Sequence, residues 1–549
     1  MAKVITAKEA AKLIKDRDVV TFSPDSLVGY PNEIVDAVKE RFLEEGHPKD
    51  LTTFRAAGMG TFAEDDWGEG AWCLDGMLTR TISSYLAVCP IMAKEVADNE
   101  IQGYMLPMGP ILQMYGAVGR GMPGVLTKIG MGTSADPRYG GGKLNSLTKE
   151  KGEDLVEYIP DFRGEDYLFY KSPGFNVALL RGTKADIHGN ISTEKEPINT
   201  EMLAVAQAVK ASGGIVIVQV EKEVDLHEIN PRMVKVPGIY VDYVVVEEHP
   251  NDVPQTTGRW HADDYNYCFT GDELVDLNKS GKPLPLDAKK VIMRRAAMEL
   301  KKGDQVNFGI GVPQGIPSIL EECGEEDLVT TISETGVIGG VPATGRDFGC
   351  HWNPEVLCDH SVHFNYFDGG CLDMGVFGLS EVDRRGNMNT SYLNGKMTGI
   401  GGFTDIAQSS RHVMFIGTFT AAGLKTEIKD GELHITHEGK YKKFVDSCPM
   451  ITFDAGQYLR NHDSFLIITE RCVIRCVPGG GMILEEVAPG VNIQTQILDL
   501  CAADLIIPIG GPKLMDPRIF TEDQFTLTPD NTPTAPLSGG TGGTELTAA

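Results

Sequence analysis

Apolar and polar positions along this chain keep two rhythms, and the same succession of rhythms occurs twice. Thr6 to Asp16 has the spacing of an amphipathic helix. The short apolar run Asp18-Val19-Val20-Thr21-Phe22 reads as a strand, followed by a Ser/Pro/Gly loop and a helix from Pro31. Further on, Ala288 to Lys301 reads as a helix and Asp304-Gln305-Val306-Asn307-Phe308 as a strand. A Gly/Pro loop and a helix from Pro317 follow. Asp18 and Asp304 lie 286 positions apart (304 − 18), and so do Pro31 and Pro317, so the two segments stay in register without a gap.

A second pair matches at a smaller offset. Asp186-Ile-His-Gly-Asn190 resembles Asp383-Arg-Arg-Gly-Asn387, 197 positions later, and the apolar strand at Ile215–Val220 falls opposite His412–Gly417. The first half therefore carries the surplus, and its Gly-, Lys- and acid-rich stretch from Gly130 to Phe175 is the expected place. Helix and strand patterns alternate in both halves. That predicts two similar open α/β domains in tandem with mostly parallel sheets. We place the first domain at 1–285 and the second at 286–524. The polar stretch 272–287 joins them, and a Pro/Thr/Gly-rich flexible tail covers 525–549.

Charge and cysteine usage narrow the setting. The formal net charge of −27 repels nucleic acid and anionic membranes. The 11 cysteines are odd in number and contain no CxxC pair, as in a reducing compartment. The first twenty residues lack the apolar core of a signal peptide. We expect a cytoplasmic protein that binds neither nucleic acid nor membrane.

The densest chemistry lies between Asn307 and Gly423. In Asn307-Phe-Gly-Ile-Gly-Val-Pro-Gln-Gly-Ile-Pro317, glycines after a strand let backbone amides approach a ligand. Their spacing does not fit a dinucleotide fingerprint. The β-branched run ending at Ile332 reads as a buried strand. Glu334 then lies just past its carboxyl end, where open α/β sheets place ligands. It is either a reactive carboxylate or a loop acid capping a helix. The corresponding strand of the first half runs into Arg55-Ala56-Ala57-Gly58, with no acid. Gly399-Ile-Gly-Gly402 precedes a helical pattern and is either an oxyanion-binding turn or a plain one. Cys350 to His363 gathers thiol, imidazole and carboxylate groups, but at no standard zinc spacing, so we assign no metal.

Taken together, the segments GIGVPQGIP, ISETGVIGG, YFDGG, DRRGN, GIGGFTDIAQSS and IGTFTAAG resemble the class I coenzyme A transferases. The first-half segments GMGTSADPRYGGGKLN and VPGIYVDYVVV agree with this. The likeness covers most of residues 1 to 510 and is strongest to the fused, single-chain acetate/propionate branch. It implies a ping-pong enzyme that moves CoA between acyl-CoA and short-chain carboxylic acids. It implies Glu334 as the covalent carrier and the amides of Gly401 and Gly402 as oxyanion donors. Gly309, Gly311 and Gly336 are the expected contacts to CoA. Met108 and Gly109 belong to a segment that reaches the substrate from the first domain, and Met108 stands where the family commonly has Gln. No cofactor is permanently bound; CoA is substrate and transient adduct. The family is homo-oligomeric, as dimer or tetramer. A hydrolase on the same carrier and a noncatalytic CoA-binding module are the competing readings. A carboxylate nucleophile needs no general base. We therefore expect Glu334 near the usual carboxylate pKa of about 4.3, without a histidine partner.

Overall fold

The computed structural model describes residues 2–276, 283–393, 395–523 and 525–527. Part of the expected linker, 277–282, and most of the expected tail, 528–549, lie outside the described residues. Phe525, the first residue of that tail, is buried under the Arg294 guanidinium instead. None of the described helices is long and apolar enough to cross a membrane.

The first half builds a ten-stranded sheet. Its main strands are β1 (Lys3–Ile5), β2 (Val19–Phe22), β3 (Leu51–Phe54), β4 (Leu78–Ser83), β5 (Gln102–Met105), β6 (Val177–Asp186), β7 (Ile215–Val224) and β8 (Tyr243–Val246). They lie in the order β1-β8-β7-β6-β2-β3-β4-β5 and every neighbouring pair is parallel. The second half builds an eight-stranded sheet from β9 (Asp304–Phe308), β10 (Val329–Thr331), β11 (Met374–Gly378), β12 (His412–Ile416), β13 (Phe465–Ile468), β14 (Cys472–Val477), β15 (Gly481–Val487) and β16 (Lys513–Leu514). Its order is β10-β9-β11-β12-β13-β14-β15-β16.

Five strands repeat. The run β3-β2-β6-β7-β8 has the same order and direction as β10-β9-β11-β12-β13. The matched Asp-x-x-Gly-Asn segments form the same turn. The Asp186 carboxylate accepts from the amides of His188 and Asn190 at 2.9 and 3.0 Å, and Asp383 accepts from Arg385 and Asn387 at 2.8 and 3.0 Å. An Asp side chain that closes its own turn fixes the chain reversal after a strand.

The surplus of the first half is broader than its composition indicates. It includes a three-stranded antiparallel sheet (Gly124–Thr127, Val156–Phe162, Glu165–Lys171), as expected near 130–175. It also includes β4 and β5, whose ordinary α/β patterning carries no mark of insertion.

The helices that matter for the site are α1 (Asn32–Glu45), α2 (Met108–Gly119), α3 (Met202–Ala211), α4 (Ala288–Ala297), α5 (Ile316–Cys323), α6 (His360–Asp368) and α7 (Phe403–Ser409). One sheet face of the first half packs under α1, and one face of the second under α4 and α5. Between the sheets lies a shared core to which α2, α3, α6 and α7 all contribute, including Ile111, Leu112, Val205, Phe364, Phe367 and Ile406. The halves thus meet over an apolar seam rather than a polar hinge.

Candidate active site

A cavity of about 300 Å³ opens on this seam. The first half lines it with Asp25, Ala57, Gly58, Phe62, Tyr85, Val88 and Met108, and the second with Glu334, Gly309, Phe348, Phe377, Gly401 and Gly402, among others.

Glu334 projects from a tight turn past the carboxyl end of β10. The Ser333 amide donates to the Val337 carbonyl at 2.8 Å, and Gly336 donates back to Ser333 at 3.2 Å. The Asn307 amide group holds the Ile332 carbonyl at 2.8 Å, and the Thr335 hydroxyl holds the Gly349 carbonyl at 2.6 Å. The turn is therefore fixed from several sides. Gly336 has φ +90, and a Cβ there would stand 2.6 Å from the Cys358 carbonyl oxygen. It shapes the turn behind Glu334 and does not line the cavity.

The strand pairing identifies the counterpart of Glu334. Val19 pairs with Thr52 and, at the repeat offset, Gln305 pairs with Thr330. Continuing that register puts Ala56 opposite Glu334. Ala57 and Gly58 of that acid-free loop face the same cavity.

The Gly399–Gly402 loop is bound to the first half. The amides of Ile400 and Gly401 both donate to the Ser84 carbonyl, at 2.8 and 2.9 Å, and Met108 donates to the Gly401 carbonyl at 3.2 Å. The Gly402 amide donates to Glu334 Oε2 at 3.2 Å. Of the two expected oxyanion donors, only Gly402 aims its N–H at the Glu334 carboxyl; that of Gly401 is already engaged. Gly109 differs from expectation as well. Its amide donates to Asp405 Oδ1 at 3.0 Å, behind the cavity wall, while Met108 lines the cavity. Gly309 lines the cavity with its amide held by the Val376 carbonyl at 2.8 Å. Gly311 lies off the wall and donates to Gln314 Oε1 at 3.0 Å.

Two expectations about Glu334 are corrected. Its carboxyl is pushed up to about 7, first by burial and then by the Asp25 carboxylate, against the opposing pull of His360 and the Gly402 amide. A histidine is therefore close by. Burial works against the His360 cation, but a 3.1 Å bond from Nδ1 to Glu201 and the charges of Asp25 and Glu334 raise it overall. Asp25 is pushed up to about 6, mainly by burial. The Cys350–His363 segment wraps this cluster: Cys350 and His351 line the cavity and His360 opens α6. Among the described residues, no three His, Cys, Asp or Glu side chains come together as a metal site.

Neither Asp25 nor Tyr85 is singled out from the sequence, and His360 is met only as part of the Cys350–His363 segment. For Asp25 a signal existed. The offset of 286 positions that aligns the first strands also sets Asp25 opposite Gly311.

A nucleophilic Glu334 must be ionised. As the covalent carrier that the resemblance implies, it should therefore react with acyl-CoA faster as pH rises through about 7, and then level off. At pH 5.5 the rate should be roughly thirtyfold below the plateau. Single-turnover adduct formation followed by intact mass would measure this, and a flat profile from pH 5.5 to 8 would contradict it.

The coenzyme A transferase family model matches residues 4–247 and 290–497. The caffeate CoA-transferase of Acetobacterium woodii is 42% identical over 538 residues, covering 95% of this chain and 98% of that protein. The acetate CoA-transferase YdiF of Escherichia coli K12 is 34% identical over 523 residues, covering 94% and 95%. The crystal structure of the acyl-CoA transferase YdiF apoenzyme from E. coli O157:H7 superposes with a TM-score of 0.88 at 33% identity, covering 96% of this chain and 98% of that one. Its thioester complex with CoA superposes at 0.87.

Proposed function

This chain belongs to the coenzyme A transferase family, and from that premise we propose that it exchanges CoA between a short-chain acyl-CoA and a free carboxylic acid through a thioester on Glu334. The observation that carries the proposal is the Gly402 amide aimed at a Glu334 oxygen inside a cavity built by both halves.

The chemistry runs in two half-reactions. The Glu334 carboxylate attacks the thioester carbonyl of the acyl-CoA. The carbon–sulfur bond breaks, giving a mixed anhydride and CoA thiolate. The thiolate then adds to the Glu334 carbonyl and expels the first acid as its carboxylate, leaving glutamyl-CoA. The second acid reverses both steps. In each tetrahedral intermediate at Glu334 the oxygen facing Gly402 gains charge, and a fixed donor there contributes about 3–4 kcal/mol. Holding thiolate and anhydride together contributes on the order of 7–11 kcal/mol. The apolar walls keep water from the anhydride, which a transferase must not lose to hydrolysis.

A second reading concerns the acid. Phe62, Tyr85, Phe348 and Phe377 line the cavity, and the 42% identical relative acts on caffeate by its name. Both favour an acid with an aromatic ring.

Incubation with acyl-CoA alone should add the mass of CoA, less water, to the peptide containing Glu334. CoA release that needs no acceptor acid would mark a hydrolase instead. Absence of the adduct with every acyl-CoA offered would overturn the proposal.

A further inference from the structure

The cavity that holds Glu334 has to admit a second carboxylate, that of the acid, yet its wall carries no cation. Among its lining residues there is no Lys or Arg, and the two carboxyl groups present are Asp25 and Glu334. An anion entering this space meets no Lys or Arg on the wall, and the His360 imidazole lies off the wall and is already paired with Glu201 at 3.1 Å. Burying it there is costly unless a proton is supplied.

Asp25 is held for such a role. It lies in the loop after β2. Its amide donates to the Val28 carbonyl at 3.1 Å, and the next residue, Ser26, donates from its amide to the Gly58 carbonyl at 2.9 Å. This fixes Asp25 against the acid-free counterpart of the Glu334 turn. Among the described residues its carboxyl has one hydrogen-bond partner, the Ser26 hydroxyl at 3.5 Å, and it lines the cavity. The groups facing it are Glu334 from the turn after β10, His360 from α6, Glu201 at the start of α3 and the Cys350 thiol. Met108 on the same wall has no hydrogen to donate.

We infer that Asp25 selects and orients the acid: its protonated carboxyl donates a hydrogen bond to the acid's carboxylate, so that each acid enters with one proton and an acid with a second negative charge is refused. The substrate class is then monocarboxylic acids with uncharged tails. The inference rests on the glutamyl-CoA reading, because in that intermediate Glu334 is a neutral thioester and Asp25 is the carboxyl left to titrate in the cavity. The elevation of Asp25 to about 6 fits the role, and a bound anion raises it further. Acid binding is thereby linked to uptake of one proton. Tyr85 is another O–H donor on the wall, pushed up to about 12, and a contact from it would not vary between pH 6 and 8.5.

The test uses the full chain, charged as glutamyl-CoA with an acyl-CoA and freed of the released acid. It is then mixed with acetate, propionate, caffeate or succinate between pH 6 and 8.5. For the monocarboxylates, the half-saturating concentration should rise about tenfold per pH unit above about 6, the slope of a one-proton linkage. Asp25→Asn keeps a donor without a titrating proton and should flatten the profile with binding retained. Asp25→Ala should bind weakly at every pH, and adding Met108→Gln should restore binding with a flat profile. Succinate should be at least about a hundredfold poorer than propionate, the size of one lost charge-assisted contact or one unpaired charge. A flat wild-type profile would assign the contact to Tyr85. Either that result, a slope that persists in Asp25→Asn, or succinate equal to propionate would overturn the inference. Circular dichroism shows that each variant is folded, and intact mass before mixing gives the fraction charged as glutamyl-CoA. A wild-type enzyme that forms no adduct would instead bring down the transferase reading itself.

Discussion

Replacing Glu334 with Gln should abolish CoA exchange, by about 10⁴-fold or more as for other covalent nucleophiles, and should also make the protein more stable at pH 8. The stability change has a definite sign. The folded state raises this carboxyl from 4.5 to about 7, so between those values the native protein holds a proton that the unfolded chain has released. Stability contributed by this site therefore falls as pH rises from about 4.5 and reaches its lowest level above about 7. Gln carries no charge to desolvate. The melting temperature of Glu334→Gln should exceed that of the wild type by a few degrees at pH 8 and match it near pH 4.5. Full turnover in the variant would remove Glu334 from the mechanism. Lower stability at pH 8 would show that the carboxylate is better accommodated than its burial indicates.

Gly402→Ala should lower the rate of adduct formation by about 10²–10³-fold while the fold persists. The backbone at Gly402 has φ −83 and ψ 0, which Ala adopts freely, so the substitution does not strain the chain. The added Cβ would stand 2.5 Å from Glu334 Oε2 and 2.9 Å from the Phe364 ring. The carboxyl must swing off the amide, which loses its aim at the developing oxyanion. Single-turnover mass measurements with a circular dichroism control would establish this. An alanine variant reacting at the wild-type rate would show that this amide does not serve the reaction.

Much of the framework is legible in the chain because it is local. The 286-position repeat marks β2 and β9 by their own apolar runs, and the Asp186 and Asp383 turns close on amides two and four residues away. The strand-end position of Glu334 follows from an apolar run broken by an acid and glycines. The electrostatics of Glu334 do not follow in that way. They depend on Asp25, His360 and the Gly402 amide, which come from three other elements, and no window around residue 334 contains them. The same holds for Gly401. Its sequence resembles a free anion-binding loop, yet its amide goes to the Ser84 carbonyl, more than three hundred residues away. Periodicity reports what a segment buries. It does not report which distant carbonyl will take up a particular N–H.

The seam also bears on how the catalytic unit is assembled. Since each half supplies one wall of the cavity, neither contains a site by itself. Two separate proteins of this design would have to find each other, and their activity would fall with dilution. Joined in one chain, each half meets the other at an effective concentration set by the covalent connection rather than by dilution. The alignment of Gly402 with Glu334 then becomes an intramolecular property, independent of how much of the protein is present.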